Sequence, residues 1–309
     1  MTLRVVLTGA TGFIGTAVLN RLTGEDAAVR ALTRRELRLP PDVEQVRADL
    51  TRPESLTGAC SGADVLVHAA PFVGSDEQQC VQVNDLGTAA LMEEAARAGV
   101  GRIVQVSTTA VYGRGPHRGE AVGDLEPAPG SATSRTRLAG EKHALKRGAL
   151  VLRAGLVTGA GDRWVVPALA ELTRRVPGYW LGGEARLSMI AVEDLARIVT
   201  HAALRLPAPA HGVHHAVHPE PVRNRDLLDS LASLALLPPV EGELTWEQCL
   251  TLMREHSGRI GETQLELLAY DHFYSGASLW KACELAPGPG PLARLDEAAD
   301  WYRGHLTRS

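Results

Sequence analysis

Leu3-Arg4-Val5-Val6-Leu7-Thr8-Gly9-Ala10-Thr11-Gly12-Phe13-Ile14-Gly15 decides the fold of this chain. The stretch opens as a short apolar run with β-branched members, which reads as a buried strand. Glycines then stand at 9, 12 and 15. The first permits a tight bend out of the strand. The second removes a Cβ where a pyrophosphate must approach the backbone, and the third lets the next helix lie close against the sheet. The helix begins at about Gly12, so its free N–H groups and positive dipole end face an anion. This is a dinucleotide-binding unit, with Gly9, Thr11, Gly12, Phe13 and Ile14 as its cofactor-contacting candidates.

Working outward, strands and helices alternate, the mark of a parallel sheet covered on both faces. A second strand at 28–32 ends at Thr33-Arg34-Arg35, where an acidic residue would hold a ribose 2′-hydroxyl. None is present there. Two guanidiniums suit a 2′-phosphate instead, so Arg34 and Arg35 favour NADPH over NADH; the alternative is a merely solvated loop. A third strand at 43–48 leads to Asp49-Leu50, and a short helix is expected at 53–59. The fourth strand, 64–68, is followed by Ala69-Ala70-Pro71, small enough for a cofactor to lie across the strand ends. His68 reads as a packed strand residue. One long helix is expected over 78–99, with Leu86, Ala90, Leu91 and Ala95 as its apolar stripe.

The fifth strand, 102–106, runs into Ser107-Thr108-Thr109-Ala110-Val111-Tyr112-Gly113, and 114–130 reads as loop. Further elements are expected as a helix at 132–147, a strand at 150–153, a helix at 164–175, a strand at 186–192 and a helix at 193–205. Pro207-Ala208-Pro209 marks a joint; beyond it come a strand at 212–217 and several amphipathic helices. The expected architecture is α/β: a Rossmann doubly wound parallel sheet with a smaller, mainly helical C-terminal substrate lobe. Residues 1–160, with 184–206 returning to them, form the dinucleotide domain; 161–183 and 207–309 form the lobe.

Composition removes other classes. The net charge of −4 gives no reason to expect a nucleic-acid partner. No stretch has the roughly 18 uncharged apolar residues a membrane helix needs. The first strand starts at Leu3, which leaves no room for a signal peptide. Cys60, Cys80, Cys249 and Cys283 are widely spaced and fit buried thiols in a reducing cytoplasm. His211, His214, His215 and His218 crowd one strand, but alternation splits His214 and His218 from His215, and no third ligand is evident; no metal is expected.

Taken together, these stretches resemble an extended short-chain dehydrogenase/reductase. The matching pieces are the glycine turn from Thr8 to Gly15, Asp49-Leu50, Asp64-Val65-Leu66-Val67-His68-Ala69-Ala70, the stretch from Val106 to Gly113, Leu138-Ala139-Gly140-Glu141, the stretch from Arg153 to Gly159 and Ile190-Ala191-Val192-Glu193-Asp194-Leu195-Ala196. The resemblance implies that Asp49 meets the adenine amino group, that Ala69 and Ala70 lie against the adenosine, and that the backbone from Ala154 to Val157 lies against the nicotinamide. It also implies a catalytic Ser or Thr, at Thr108, and a Tyr with a Lys four residues later. Leu138-Ala139-Gly140-Glu141 fixes the register: the tyrosine position is Thr133 and the lysine position Arg137. No Tyr-x-x-x-Lys pair exists anywhere in the chain.

A threonine hydroxyl is too weak an acid to replace that tyrosine. Arg137 can hold a cofactor ribose but does not readily give up a proton. Three readings follow. One is a ketoreductase acting on an aromatic ketone whose neighbouring phenol stabilises the developing charge, as atypical family members do on aromatic polyketides in antibiotic biosynthesis. Thr108 would then only position the carbonyl. The second is an epimerase or dehydratase using another acid or base, with Tyr112, His117, Asp124 and Glu126 near the cleft. The third is a non-catalytic dinucleotide sensor. Arg135, Glu141, Lys142 and Arg147 read as a polar outer face of the 132–147 helix and favour a monomer.

Overall fold

The structure is a computed structural model and describes residues 2–206 and 211–307. The joint expected at Pro207-Ala208-Pro209 lies outside the described residues. A seven-stranded, wholly parallel sheet forms the centre. In chain order its strands are β1 (Leu3–Thr8), β2 (Ala27–Thr33), β3 (Glu44–Arg47), β4 (Val65–His68), β5 (Arg102–Thr108), then Leu150–Ala154 and Gly212–Ala216. Across the sheet the order is Gly212–Ala216, Leu150–Ala154, β5, β4, β1, β2, β3. The strand order therefore reverses between β1 and β4, and a crevice opens at that switch point.

The strands carry apolar side chains on both faces because both faces are covered. Val5, Leu7, Val67 and Val104 meet α1 (Phe13–Leu22) and the helix Val192–Leu204 on one side. Val6, Leu66, Ile103 and Val151 meet the helices Thr88–Arg97 and Ala132–Leu145 on the other. A separate core, built on Trp180, Leu187, Met189, Leu228 and Tyr302, fills the C-terminal lobe.

Four expectations are corrected. Gly212–Ala216, expected to open the lobe, is the edge strand of the main sheet, pairing in parallel with Leu150–Ala154. Its side chains serve both cores of that sheet, Val213 on one face and Ala216 on the other. The single strand expected over 186–192 is two. Arg186–Leu187 joins a small lobe sheet and Met189–Ala191 pairs with Leu156–Thr158; the break is at Ser188, whose Oγ accepts from Tyr274 N–H at 2.9 Å. Within the expected loop 114–130, His117–Glu120 is a strand pairing in parallel with His272–Tyr274, a non-local contact without local signal.

The expected long helix is also not uniform. Glu77–Cys80 and Thr88–Arg97 are α-helical, but Val81–Gly87 between them is π-helical. The wider winding rotates Leu86 off the apolar stripe, and it is 49% exposed while Leu91 and Ala95 are fully buried. The π segment turns Asn84 inward, where its side-chain amide accepts from Phe72 N–H and donates to Phe72 C=O. Gly87 lies hard against Leu50: a Cβ there would stand 2.7 Å from its carbonyl oxygen.

Candidate active site

The glycine turn has the geometry that its spacing asks for. Gly9 has φ +75°, a left-handed conformation, and a Cβ there would stand 2.3 Å from Ala69 O. Any side chain would push the turn off the end of β4. A Cβ on Gly15 would stand 1.9 Å from Gly9 O, so this glycine seats α1 on the turn. Gly12 differs: apart from Gly9 O at 3.3 Å, nothing of the protein crowds a Cβ there. Its own fold does not demand a glycine at 12, whereas a close-approaching ligand does. Gly12 is also the N-cap of α1 and supplies no side-chain cap, so the first-turn N–H groups are left to an anion.

Beside the turn runs a groove of about 710 Å³ along the carboxyl ends of β1, β2 and β4. Of the residues named from sequence, Gly9, Thr11 and Gly12 line it, as do Arg34, Arg35, Asp49 and Leu50, and then Ala69, Ala70 and Pro71. Thr8, Leu32, Thr33, Leu37, Leu56, Phe72 and Val83 complete the lining. Phe13 and Ile14 are not in the groove wall; their side chains pack on the core below it, Phe13 against Gly161. The groove lining suits a dinucleotide: an anion seat at the helix end, guanidiniums after β2 and small side chains after β4.

Gln45 on β3 holds the arginine loop. Its Nε2 donates to Thr33 Oγ1 at 2.7 Å and to Arg35 C=O at 3.0 Å. Arg34 and Arg35 are exposed, with their side chains at the groove. Asp49 Oδ1 accepts from Thr51 N–H and from its hydroxyl, at 2.9 and 2.8 Å. Partial burial opposes ionisation, but these bonds, helped by the charges of Arg34 and Arg52, hold the carboxyl below its ordinary value.

Behind the turn, His68 bridges Thr8 Oγ1 at 2.7 Å and Thr88 Oγ1 at 3.0 Å. Burial pushes its imidazole down to about 4, so it is neutral, a structural tie as the sequence suggested.

Thr108, Arg137, Ala154 and Val157 lie outside the groove wall, towards the other strand ends. Thr108 ends β5, and its Oγ1 accepts from Ala110 N–H at 3.1 Å. Thr133, in the tyrosine position, is fully engaged: its hydroxyl donates to Gly74 C=O at 2.9 Å and accepts from Gly74 N–H at 3.3 Å. With Asn84 on Phe72, it straps the chain after β4 onto the helix Ala132–Leu145. Arg137 Nη2 donates to Val106 C=O at 3.0 Å. Burial lowers its guanidinium to about 10, with Glu141 opposing, so it stays charged at neutral pH.

A buried polar network that sequence reasoning missed stands beside these residues. Glu141, assigned to an outer face from sequence, is fully buried; it pairs with Arg153 at 2.7 Å and accepts from Ser107. The Arg153 guanidinium lies 4.8 Å over the Tyr112 ring. Tyr112 is hydrogen-bonded to His215 Nε2 at 2.7 Å, and His215 Nδ1 faces Ser275 C=O at 3.1 Å. A carbonyl only accepts, so Nδ1 carries the proton and Tyr112 donates to Nε2. Tyr112 and Tyr274 stack, with centroids 5.2 Å apart. Burial raises the pKa of Tyr112 and of Tyr274, and lowers His215 to about 4.

The remaining candidates scatter. His117 is buried edge-on to His272 at 5.4 Å; Asp124 and Glu126 are exposed, and an Asp124 oxygen accepts from Ala121 N–H. His218 sits between the Glu220 and Gly288 carbonyls. Among the described residues, no three His, Cys, Asp or Glu side chains converge as a metal ion would require, and none of their helices is long and apolar enough to cross a membrane. All four cysteines are buried free thiols.

The chain is similar to several known proteins. A 2-alkyl-3-oxoalkanoate reductase of Stenotrophomonas maltophilia is 27% identical over 263 residues, 79% of each chain. The 4-hydroxy-2-methyl-3-oxo-4-farnesyl-3,4-dihydroquinoline-1-oxide ketoreductase of Stigmatella aurantiaca is 27% identical over 74% of this chain and 72% of its own. Among solved structures, MoeE5 in complex with UDP-glucuronic acid and NAD has the same fold, with TM-score 0.77 at 23% identity, over 98% of this chain and 100% of that one. The NAD dependent epimerase/dehydratase family matches residues 5–214. With a matching profile over two thirds of its length and a groove fitted to a dinucleotide, the chain belongs to the NAD dependent epimerase/dehydratase family and is an NAD(P)-dependent enzyme.

Proposed function

We propose that this enzyme is an NADPH-dependent ketoreductase whose substrate is an aromatic polyketide of the angucyclinone type, carrying a phenol beside the reacting ketone. Its counterpart in chemistry is the angucyclinone ketoreductase of simocyclinone biosynthesis, with antibiotic tailoring as the setting and the cytoplasm as the place. One observation carries the reading: the chain offers no acid where the family pattern puts one. The Thr133 hydroxyl gives its proton to Gly74 C=O and accepts from Gly74 N–H. Tyr112, Tyr179, Tyr274 and Tyr302 are all shifted upward, the wrong direction for a proton donor at neutral pH. The two reductase relatives act on oxo compounds by name, which supports reduction over epimerisation.

Arg34 and Arg35 support NADPH, because guanidiniums grip a phosphate in a bidentate fashion. The bound nicotinamide supplies hydride. The protein's part is placement: Gly9, Gly12 and the α1 N-terminus receive the pyrophosphate, Asp49 and Ala69-Ala70 the adenosine, and Ala154 to Val157 the nicotinamide end. Thr108 and Arg137 orient what lies there. Orientation alone can lower such a barrier by on the order of 7 kcal/mol. The substrate would enter between the sheet's carboxyl edge and the lobe, in a monomeric protein.

The test is NADPH oxidation with a polycyclic ketone bearing an adjacent phenol and with its O-methylated analogue. Turnover of the first alone, retained in Thr108→Ala, is the expected result. Abolished turnover in Thr108→Ala with NADPH binding intact would show that the protein supplies the acid. Product formed without net cofactor oxidation would mean epimerisation.

A further inference from the structure

Gln105 lies mid-sheet on β5, 5% exposed, and its Oε1 has no hydrogen-bond partner. Leaving an amide oxygen bare in a core forfeits its hydration with nothing in return, so its surroundings need explaining. It faces a small pocket lined also by His68, Thr88 and Arg137. The pocket leaves about 10 Å³ in which the centre of a water can sit, the size of a one-water site.

The hydrogen-bond chemistry around it is that of a water seat. Asn84, on the pocket wall, is committed to Phe72 and Thr136. Arg137 has given one N–H to Val106 and has others to give. Thr8 Oγ1 accepts from Ala69 N–H at 3.2 Å, which leaves its own proton for His68 Nδ1. The neutral ring then donates from Nε2 to Thr88, whose proton remains available. Gln105 brings an acceptor; Arg137 and Thr88 bring donors. A water with two to four polar partners in a space this size is an ordered part of the structure.

We propose that the pocket holds one buried water joining Gln105 Oε1 to the Arg137 guanidinium, with Thr88 as third partner, and that Gln105 is thereby the positioning residue for Arg137. The link ties Arg137 to the Thr8–His68–Thr88 chain behind the glycine turn, so the two ends of the cofactor site are set relative to each other. Nothing in this depends on the substrate.

The test uses the ligand-free full chain. A high-resolution crystal structure of the wild type should show a single water within hydrogen-bond distance of Gln105 and Arg137. In Gln105→Leu, or Gln105→Met should the first not fold, the water should be lost, and the Arg137 Nε–H should exchange with solvent about tenfold faster by ¹⁵N NMR, the loss of one such bond. Gln105→Glu, which keeps an acceptor, should restore slow exchange. A wild-type pocket without the water, or wild-type exchange in the apolar variant, overturns the proposal. A protein that holds the water yet binds no NADPH refutes the ketoreductase reading and leaves this one standing.

Discussion

Mild acid should unfold this enzyme through two histidines before its carboxylates matter. His68 and His215 are buried, and each is lowered to about 4 from 6.5. The folded state therefore keeps both neutral, while an unfolded chain protonates them below 6.5. Stability is unaffected above that pH and falls as pH drops through the window from 6.5 to 4, because only the unfolded state gains protons there. Each histidine loses about 2 kcal/mol by pH 5, at 1.36 kcal/mol per pKa unit, so the pair removes about 4 kcal/mol. His214 and His272 are lowered by burial too and act in the same direction. Asp162 and Glu193 are raised by burial from 3.8 and 4.5, so in the folded state they take up protons above those values and offset part of the fall inside the same window. Against a typical stability of about 5–15 kcal/mol, this is a large share, and it brings a domain at the low end of that range near its midpoint. Urea melts at pH 7, 6 and 5 should show the midpoint dropping steadily, and the His68 and His215 ring protons should not titrate above pH 5 by NMR. A midpoint unchanged between pH 7 and 5, or a His68 titration near 6.5, would refute the assignment of buried neutral rings.

Tyr112→Phe leaves His215 Nε2 buried without its donor, and should cost about 1–3 kcal/mol in a denaturant melt; an unshifted midpoint would mean that the bond is absent in solution. Glu141→Gln strips the carboxylate from Arg153 in a site with no solvent, a change worth about 3–5 kcal/mol, read as lost thermal stability. Gly12→Ala should fold with little loss of stability yet bind NADPH far more weakly by fluorescence titration, since on the protein's side its Cβ meets only Gly9 O, at 3.3 Å; equal loss of stability and binding would count against the open face. Arg34→Ala should weaken NADPH about tenfold and leave NADH unchanged, because one exposed charge-assisted contact to the 2′-phosphate is removed; equal effects on both would return Arg34 to the solvated loop.

The sheet was legible because its signals are local. Each central strand of the first half is a short β-branched run, and Gly9, Gly12 and Gly15 fix the turn by spacing alone. The groove wall was largely legible for the same reason. What escaped reading depends on distant partners. Gly212–Ala216 looked like the start of a new lobe because nothing in five residues says which sheet they join. Glu141 looked like a surface residue until Arg153, twelve residues on, folded over it. The π segment at Val81–Gly87 follows from Asn84 reaching Phe72 and Gly87 meeting Leu50, contacts that no helical periodicity encodes. Phe13 and Ile14 stand between Gly12 and Gly15 in sequence, but the helix they begin turns them into the core.

The grip of Gln45 on the end of β2 has a consequence for how this enzyme could change coenzyme. The loop's shape is set through the Thr33 hydroxyl and the Arg35 carbonyl, groups that survive replacement of the exposed side chains at 34 and 35. Shape and recognition are thus held by different atoms. Redox-partner choice becomes a detachable trait, open to drift or redesign by one or two surface exchanges, while the scaffold beneath and the chemistry beyond the groove, at the other strand ends, stay as they are.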